Sequence, residues 1–106
     1  MAKKVLGQSN PAATTATSLY TVPASKSAVV STLTICNQAA TAATYRIAVR
    51  PSGDTLAAVH YIAYDVTVGG SDTTALTLGI TLATTDVVTV YASTATLSFH
   101  AYGDES

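Results

Sequence analysis

Turn-forming residues interrupt this sequence about every ten residues, and the runs between them are dense in Val, Ile, Thr and Tyr. That spacing is the tightest constraint on the fold, because such runs suit strands and are too short for most helices. "SAVVSTLTICN" is the clearest of them. On a regular strand Val29, Leu33 and Ile35 share one face, and Val30, Thr32, Thr34 and Cys36 share the other. Ahead of it, "LYTV" is stopped by Pro23, which cannot donate to a ladder, and "PASK" forms a turn. "TYRIAVR" alternates, with Tyr45, Ile47 and Val49 inward and Arg46, Ala48 and Arg50 outward. Pro51 and Gly53 break the chain next.

The segment from Leu56 reads two ways. Leu56, Val59, Ala63 and Val66 fall near helical spacing, with Asp54 or Thr55 as a cap. Val59, Tyr61, Ile62, Tyr64, Val66 and Val68 favour a strand, and their density places one from about Val59 to Val68. "TTALTLG" is a further strand. "DVVTVYA" and "TLSFHAYG" read as a terminal hairpin around "STAT", and "GDES" as a solvated acidic tail.

These runs amount to about seven or eight strands with no long helix. They imply an all-β, antiparallel β-sandwich, either jelly-roll-like or immunoglobulin-like. The paired Cys and core Trp of antibody domains are missing. Residues 1–18 read as an N-terminal arm or linker, and residues 19–106 as the sandwich domain. Lys3 to Leu6 is either a short strand or the apolar tip of an arm, and "GQSNPAATTATS" an extended linker. A frayed terminus is the alternative.

Composition narrows the function. At 106 residues and 10.8 kDa the chain has the size of one domain. Only 10% of residues are charged, against about 25% in a typical soluble domain, so Thr, Ser, Asn and Gln must cover much of the surface. With a net charge of −1, such a surface has little electrostatic protection and suits a protein that associates. The balance argues against nucleic acid and against membrane surfaces, which select a basic field. No secretory leader pattern follows Met1, and no apolar run approaches the roughly 18–20 residues of a membrane span. The single Cys36 precludes an intrachain disulfide, consistent with assembly in a reducing cytoplasm.

Chemistry-bearing motifs are sparse. Asp54, Asp65, Asp72, Asp86, Asp104 and Glu105 form no close pair suited to acid–base work. His60 and His100 have no partner at metal-ligand spacing, and no Gly-x-Ser-x-Gly elbow occurs. Cys36 has no adjacent base and reads as a small core residue. The chain is expected to be no enzyme and to hold no cofactor or metal. Two features suit binding. Arg46 and Arg50 would present two planar forks about 13 Å apart on one strand. Six of the seven aromatics are tyrosine, and their scatter, one to a strand, reads as packing at the sandwich rim.

"LYTVPASKSAVVSTLTICN", followed by an Ala/Thr-rich gap and "TYRIAVRPSG", resembles a pattern in small structural proteins of tailed-bacteriophage virions. "TLGITLATTDVVTVYASTATLSFHAYG" fits the same group, so the likeness spans Leu19 to Gly103. It is most similar to capsid decoration (cement) proteins. The resemblance implies a non-enzymatic β-sandwich or jelly roll that forms homo-oligomers, typically homotrimers. It would assemble in the host cytoplasm and bind the major capsid protein of the same virion. On this reading Lys3, Lys4, Val5 and Leu6 of the arm and the Arg46/Arg50 face are the expected contacts. Tail, baseplate or fibre-associated accessory proteins are the alternative, with a surface glycan-binding module behind them.

Overall fold

The computed structural model describes residues 2–106. It contains eight strands: β1 (Ala2–Ser9), β2 (Thr17–Thr21), β3 (Ala28–Asn37), β4 (Ala43–Arg50), β5 (Tyr61–Val68), β6 (Thr73–Leu82), β7 (Val87–Ala92) and β8 (Leu97–Glu105). Single 3₁₀ turns at Pro51–Gly53 and Ala58–His60 lie between β4 and β5. The strand reading of the segment after Leu56 therefore holds, with its first residues in the second of these turns. Two antiparallel four-stranded sheets pack face to face as a β-sandwich, in the orders β1-β8-β3-β6 and β2-β7-β4-β5.

Of the successive strands only β4 and β5 pair with each other; every other link passes between sheets. The expected terminal hairpin is one of these crossings. Its turn is anchored on both sheets: Ser93 N donates to Thr44 O, and Gln38 N donates to Thr96 O. Each sheet has one face on the core, so inward residues alternate with half-exposed ones along β3, β4 and β8. Tyr45 and Phe99 meet edge to face at 6.3 Å between ring centres, with Leu33, Ile35, Ile47, Val88, Val90 and Leu97 buried in the same core.

Regular alternation fails in β3. The register with both neighbours slips between Val30 and Thr32, so Val30 is buried and Val29 is turned outward. An extra residue at Ser31 reverses the parity of the strand's first half. Leu33 and Ile35 point inward as expected, but Val30 and not Val29 joins them. Cys36 lies half-buried on the outer side of β3 and is not a core residue. In β4, Tyr45 and Ile47 are inward as expected. Ala48 points outward and is nevertheless buried, flanked by Thr89 and Tyr61 on the adjoining strands.

Both termini differ from expectation. Of the two readings of Lys3 to Leu6 the strand holds and the free arm does not: β1 pairs with β8 along its length, and Leu6 packs against the core. The connection after it is also tied down. Asn10 Nδ2 donates to Leu97 O at 2.7 Å, Pro11 is buried, and Thr14 N donates to Ala92 O. The division at residue 18 thus disappears into one sandwich. At the other end "GDES" is no solvated tail. Gly103 to Glu105 complete β8, and Ser106 exchanges main-chain hydrogen bonds with Ser27.

Glu105 ties the two sheets together. Its side chain is only 12% exposed; Oε1 accepts from Lys4 Nζ at 2.9 Å and Oε2 accepts from Tyr20 Oη at 2.6 Å. The bond from Tyr20, then that from Lys4, holds the Glu105 carboxyl below its ordinary 4.5. Burial, with the carboxylate beside it, pushes the Tyr20 hydroxyl well above its ordinary 10. A depressed carboxyl pKa adds stability that is fully present above the unfolded value and is lost as pH falls through the folded one. Denaturant midpoints should therefore fall as the pH drops below the ordinary 4.5, and Glu105→Gln should flatten that decline. An unchanged acid profile in Glu105→Gln would remove Glu105 as the sensitive group.

Candidate interaction surface

The outer face of the second sheet gathers the polar and aromatic side chains that sequence spacing kept apart. Arg46, pointing outward from β4, lies between two rings, 4.1 Å from the centre of Tyr64 on β5 and 4.3 Å from that of Tyr91 on β7. Both distances are within the range for cation–π attraction. Asp65 completes the cluster: Arg46 Nε donates to Oδ1 at 2.6 Å and Nη2 donates to Oδ2 at 3.3 Å. These bonds hold the Asp65 carboxyl below its ordinary value and lift the Arg46 guanidinium above its own. The local backbone makes the pairing possible. The β4–β5 register slips between Tyr45 and Ile47, and Asp65 takes φ 52°, so a bulge re-aims its side chain at β4.

Tyr61 meets Tyr64 edge to face at 4.9 Å. The two tyrosines, with Leu56, Ala57 and Ala58, line an open depression of about 590 Å³. The edge strand β5 and the turn before it expose large apolar side chains: Val59 is 86% exposed, Tyr64 56% and Ile62 50%. Tyrosine and arginine are the residues that most often anchor protein interfaces, and here their rotamers are fixed before any partner arrives.

The arginines therefore sit where expected but are not two free forks. Arg46 is stacked and paired, while Arg50 donates from Nε to Thr89 Oγ1 at 3.0 Å and from Nη1 to the Asp54 carbonyl at 2.9 Å. The tyrosines are not all scattered either: Tyr61, Tyr64 and Tyr91 converge. Asp65, Tyr64 and Tyr91 were not among the expected contacts. For Tyr64 and Asp65 the only trace in the sequence is the run from Val59 to Val66, apolar at both even and odd positions, as befits a bulged edge strand rather than a half-buried one; Tyr91, in "DVVTVYA", leaves none.

The expected N-terminal contacts lie elsewhere. Lys3, Lys4 and Val5 border an open depression of about 500 Å³ with Ser31, Tyr102, Gly103 and Asp104, on the first sheet. Leu6 is turned toward the core instead. Asp104 Oδ1 is buried there, and among the described residues nothing hydrogen-bonds to it. On the same sheet His100 stacks on Tyr102 and shares a hydrogen bond with Gln8. Among the described residues no group of three or more His, Cys, Asp or Glu side chains is placed to hold a metal ion. Comparison with protein-family models, with curated proteins and with solved structures finds no match for this chain.

Proposed function

We propose that this chain is a non-enzymatic structural protein of a tailed-phage virion that decorates the assembled capsid shell, docking on the major capsid protein through the outer face of its second sheet. The observation that carries the proposal is the Tyr64–Arg46–Tyr91 stack, a rigid, partly exposed anchor beside an apolar depression. Fold topology supports the virion class. The order β1-β8-β3-β6 against β2-β7-β4-β5 favours the jelly-roll reading of the sandwich, an architecture used by viral capsid and lectin domains. An immunoglobulin-type sandwich would pair its first two strands in one sheet, and here they lie in different sheets. The sequence resemblance points the same way.

A glycan-binding reading draws on the clustered tyrosines but fits the geometry less well. Stacking on a sugar needs an open ring face, and Arg46 takes one face of Tyr64 and one of Tyr91, so each ring keeps at most one. A protein partner can use the ring edges, the hydroxyls and the depression together. Binding only to the assembled shell stabilises that shell by mass action, and copies engaged at several sites gain avidity.

Co-sedimentation with purified mature shells tests the proposal. Tyr64→Ala and Arg46→Ala should each weaken binding about tenfold or more, as truncation of an interface anchor does. Arg50→Ala should have less effect, because Arg50 lies outside the Tyr64–Arg46–Tyr91 stack and is tied to Thr89 and the Asp54 carbonyl instead. A Tyr64→Ala, Arg46→Ala double variant that binds like the parent would overturn the choice of face.

A further inference from the structure

The four sheet edges are not guarded alike. An edge strand exposes unpaired main-chain N–H and C=O groups, and proteins blunt it with lysine, proline, bulges or short length. β1 carries Lys3 and Lys4. β2 has only five residues and a register break. β5 has two register breaks and the Asp65 charge. β6 has ten residues, none charged and none proline. Its one register break falls beyond Thr77, where Gly79 takes φ 63°, a left-handed conformation open to glycine. From Thr73 to Thr77 the strand pairs in regular register with β3 on one side, and among the described residues no strand pairs with it on the other.

We propose that a second copy of the chain completes this edge, β6 against β6, antiparallel about a two-fold axis through Ala75. A two-fold axis perpendicular to a sheet sets one residue opposite itself and makes every other contact reciprocal. Centred on Ala75, it sets Thr73 opposite Thr77 of the second copy and Thr74 opposite Leu76. The burial pattern fits that register: Thr73, Ala75 and Thr77 are exposed on the outer face, and Thr74 and Leu76 are half-buried on the inner one. Cross-strand Thr–Thr pairs are favourable, Ala75 is small enough to face its own copy, and no charge meets a like charge. The window is also symmetric. The turn through Asp72 ends it on one side and the break after Thr77 on the other.

The second copy is favoured over a foreign strand because this register is self-complementary in both length and chemistry. The two first sheets then join into one continuous sheet. Its outer edges are the two lysine-bearing β1 strands, which stop further growth. A two-fold contact gives dimers in place of the three-fold assembly that the sequence resemblance implies. It leaves the outer face of each second sheet free, and it does not rest on the shell-binding proposal.

Sedimentation equilibrium at about 100 µM tests it, a concentration at which even a weak micromolar dimer is populated. The parent should have twice the 10.8 kDa chain mass. Ala75→Lys and Ala75→Glu, both at an exposed position, should sediment as monomers, because like charges then face each other across the axis, and should melt like the parent once the parent is diluted to monomers. An equimolar mixture of the two should recover dimers, each holding one chain of each kind. A monomeric or trimeric parent, a single variant that dimerises like the parent, or a mixture that stays monomeric would overturn the proposal.

Discussion

Phe99→Ala is expected to lower the free energy of unfolding by about 3–5 kcal/mol, a large share of the roughly 5–15 kcal/mol that holds a domain together. Phe99 is the one phenylalanine in the chain, fully buried on β8, a central strand of the first sheet. Its ring fills the space between the sheets and meets Tyr45 of the second sheet edge to face. Alanine loses the transfer energy of the ring and leaves a cavity that two sheets, each fixed by its own ladders, close only partly. Urea denaturation should show a lower midpoint at an unchanged slope. Phe99→Leu should lose less, because it keeps most of the volume. A Phe99→Ala loss under about 1 kcal/mol would mean that the two sheets do not meet at this side chain.

Gly103→Ala is expected to be nearly as damaging, by about 3 kcal/mol or more, although it adds only a methyl group. A Cβ at Gly103 would lie 1.9 Å from the Val29 carbonyl oxygen and 2.9 Å from its carbon. Neither atom is the end of a flexible side chain; both belong to β3, paired beside β8. The close approach comes from the bulge at Ser31, which brings the β3 backbone toward β8 where Val30 faces Gly103. The substitution must unpair the ladder or reverse the bulge, and reversing it would turn Val29 inward and Val30 outward. Thermal melting would show the loss, and Gly103→Ala with the parent's melting temperature would contradict the bulged pairing of β3 with β8.

These two sites mark what the sequence makes legible. The strand content follows from turn residues and β-branched runs, and Leu33, Ile35, Tyr45, Ile47, Leu97 and Phe99 are inward as simple alternation requires. Alternation assumes a period of two, and a single bulged residue breaks it; Ser31 carries no mark of its role, so Val29 and Val30 exchange places. The terminal segments mislead for a related reason. "AKKVLGQS" and "GDES" are polar and short, which suits a tail, but each lies beside a strand that completes its hydrogen bonds, and Glu105 finds Tyr20 and Lys4 far away in sequence.

The interaction surface shows the same limit more sharply. Arg46 and its outward direction can be read from "TYRIAVR". Asp65, Tyr64 and Tyr91 reach it only because β4 lies between β5 and β7, and because a left-handed residue at position 65 turns the carboxylate toward it. Non-local pairing of this kind leaves no local pattern. A free charge on an outward strand and a charge already consumed by its neighbours look identical in sequence, yet they favour different partners. The consumed charge at Arg46 favours an uncharged, well-packed protein contact over steering by long-range charge.

Copy number and location in the particle test the central proposal most directly. Labelled protein imaged in intact virions should appear in many copies spread over the whole capsid shell, and should appear there only after the shell has assembled. A handful of copies confined to one vertex, the tail or the baseplate would contradict the decoration reading.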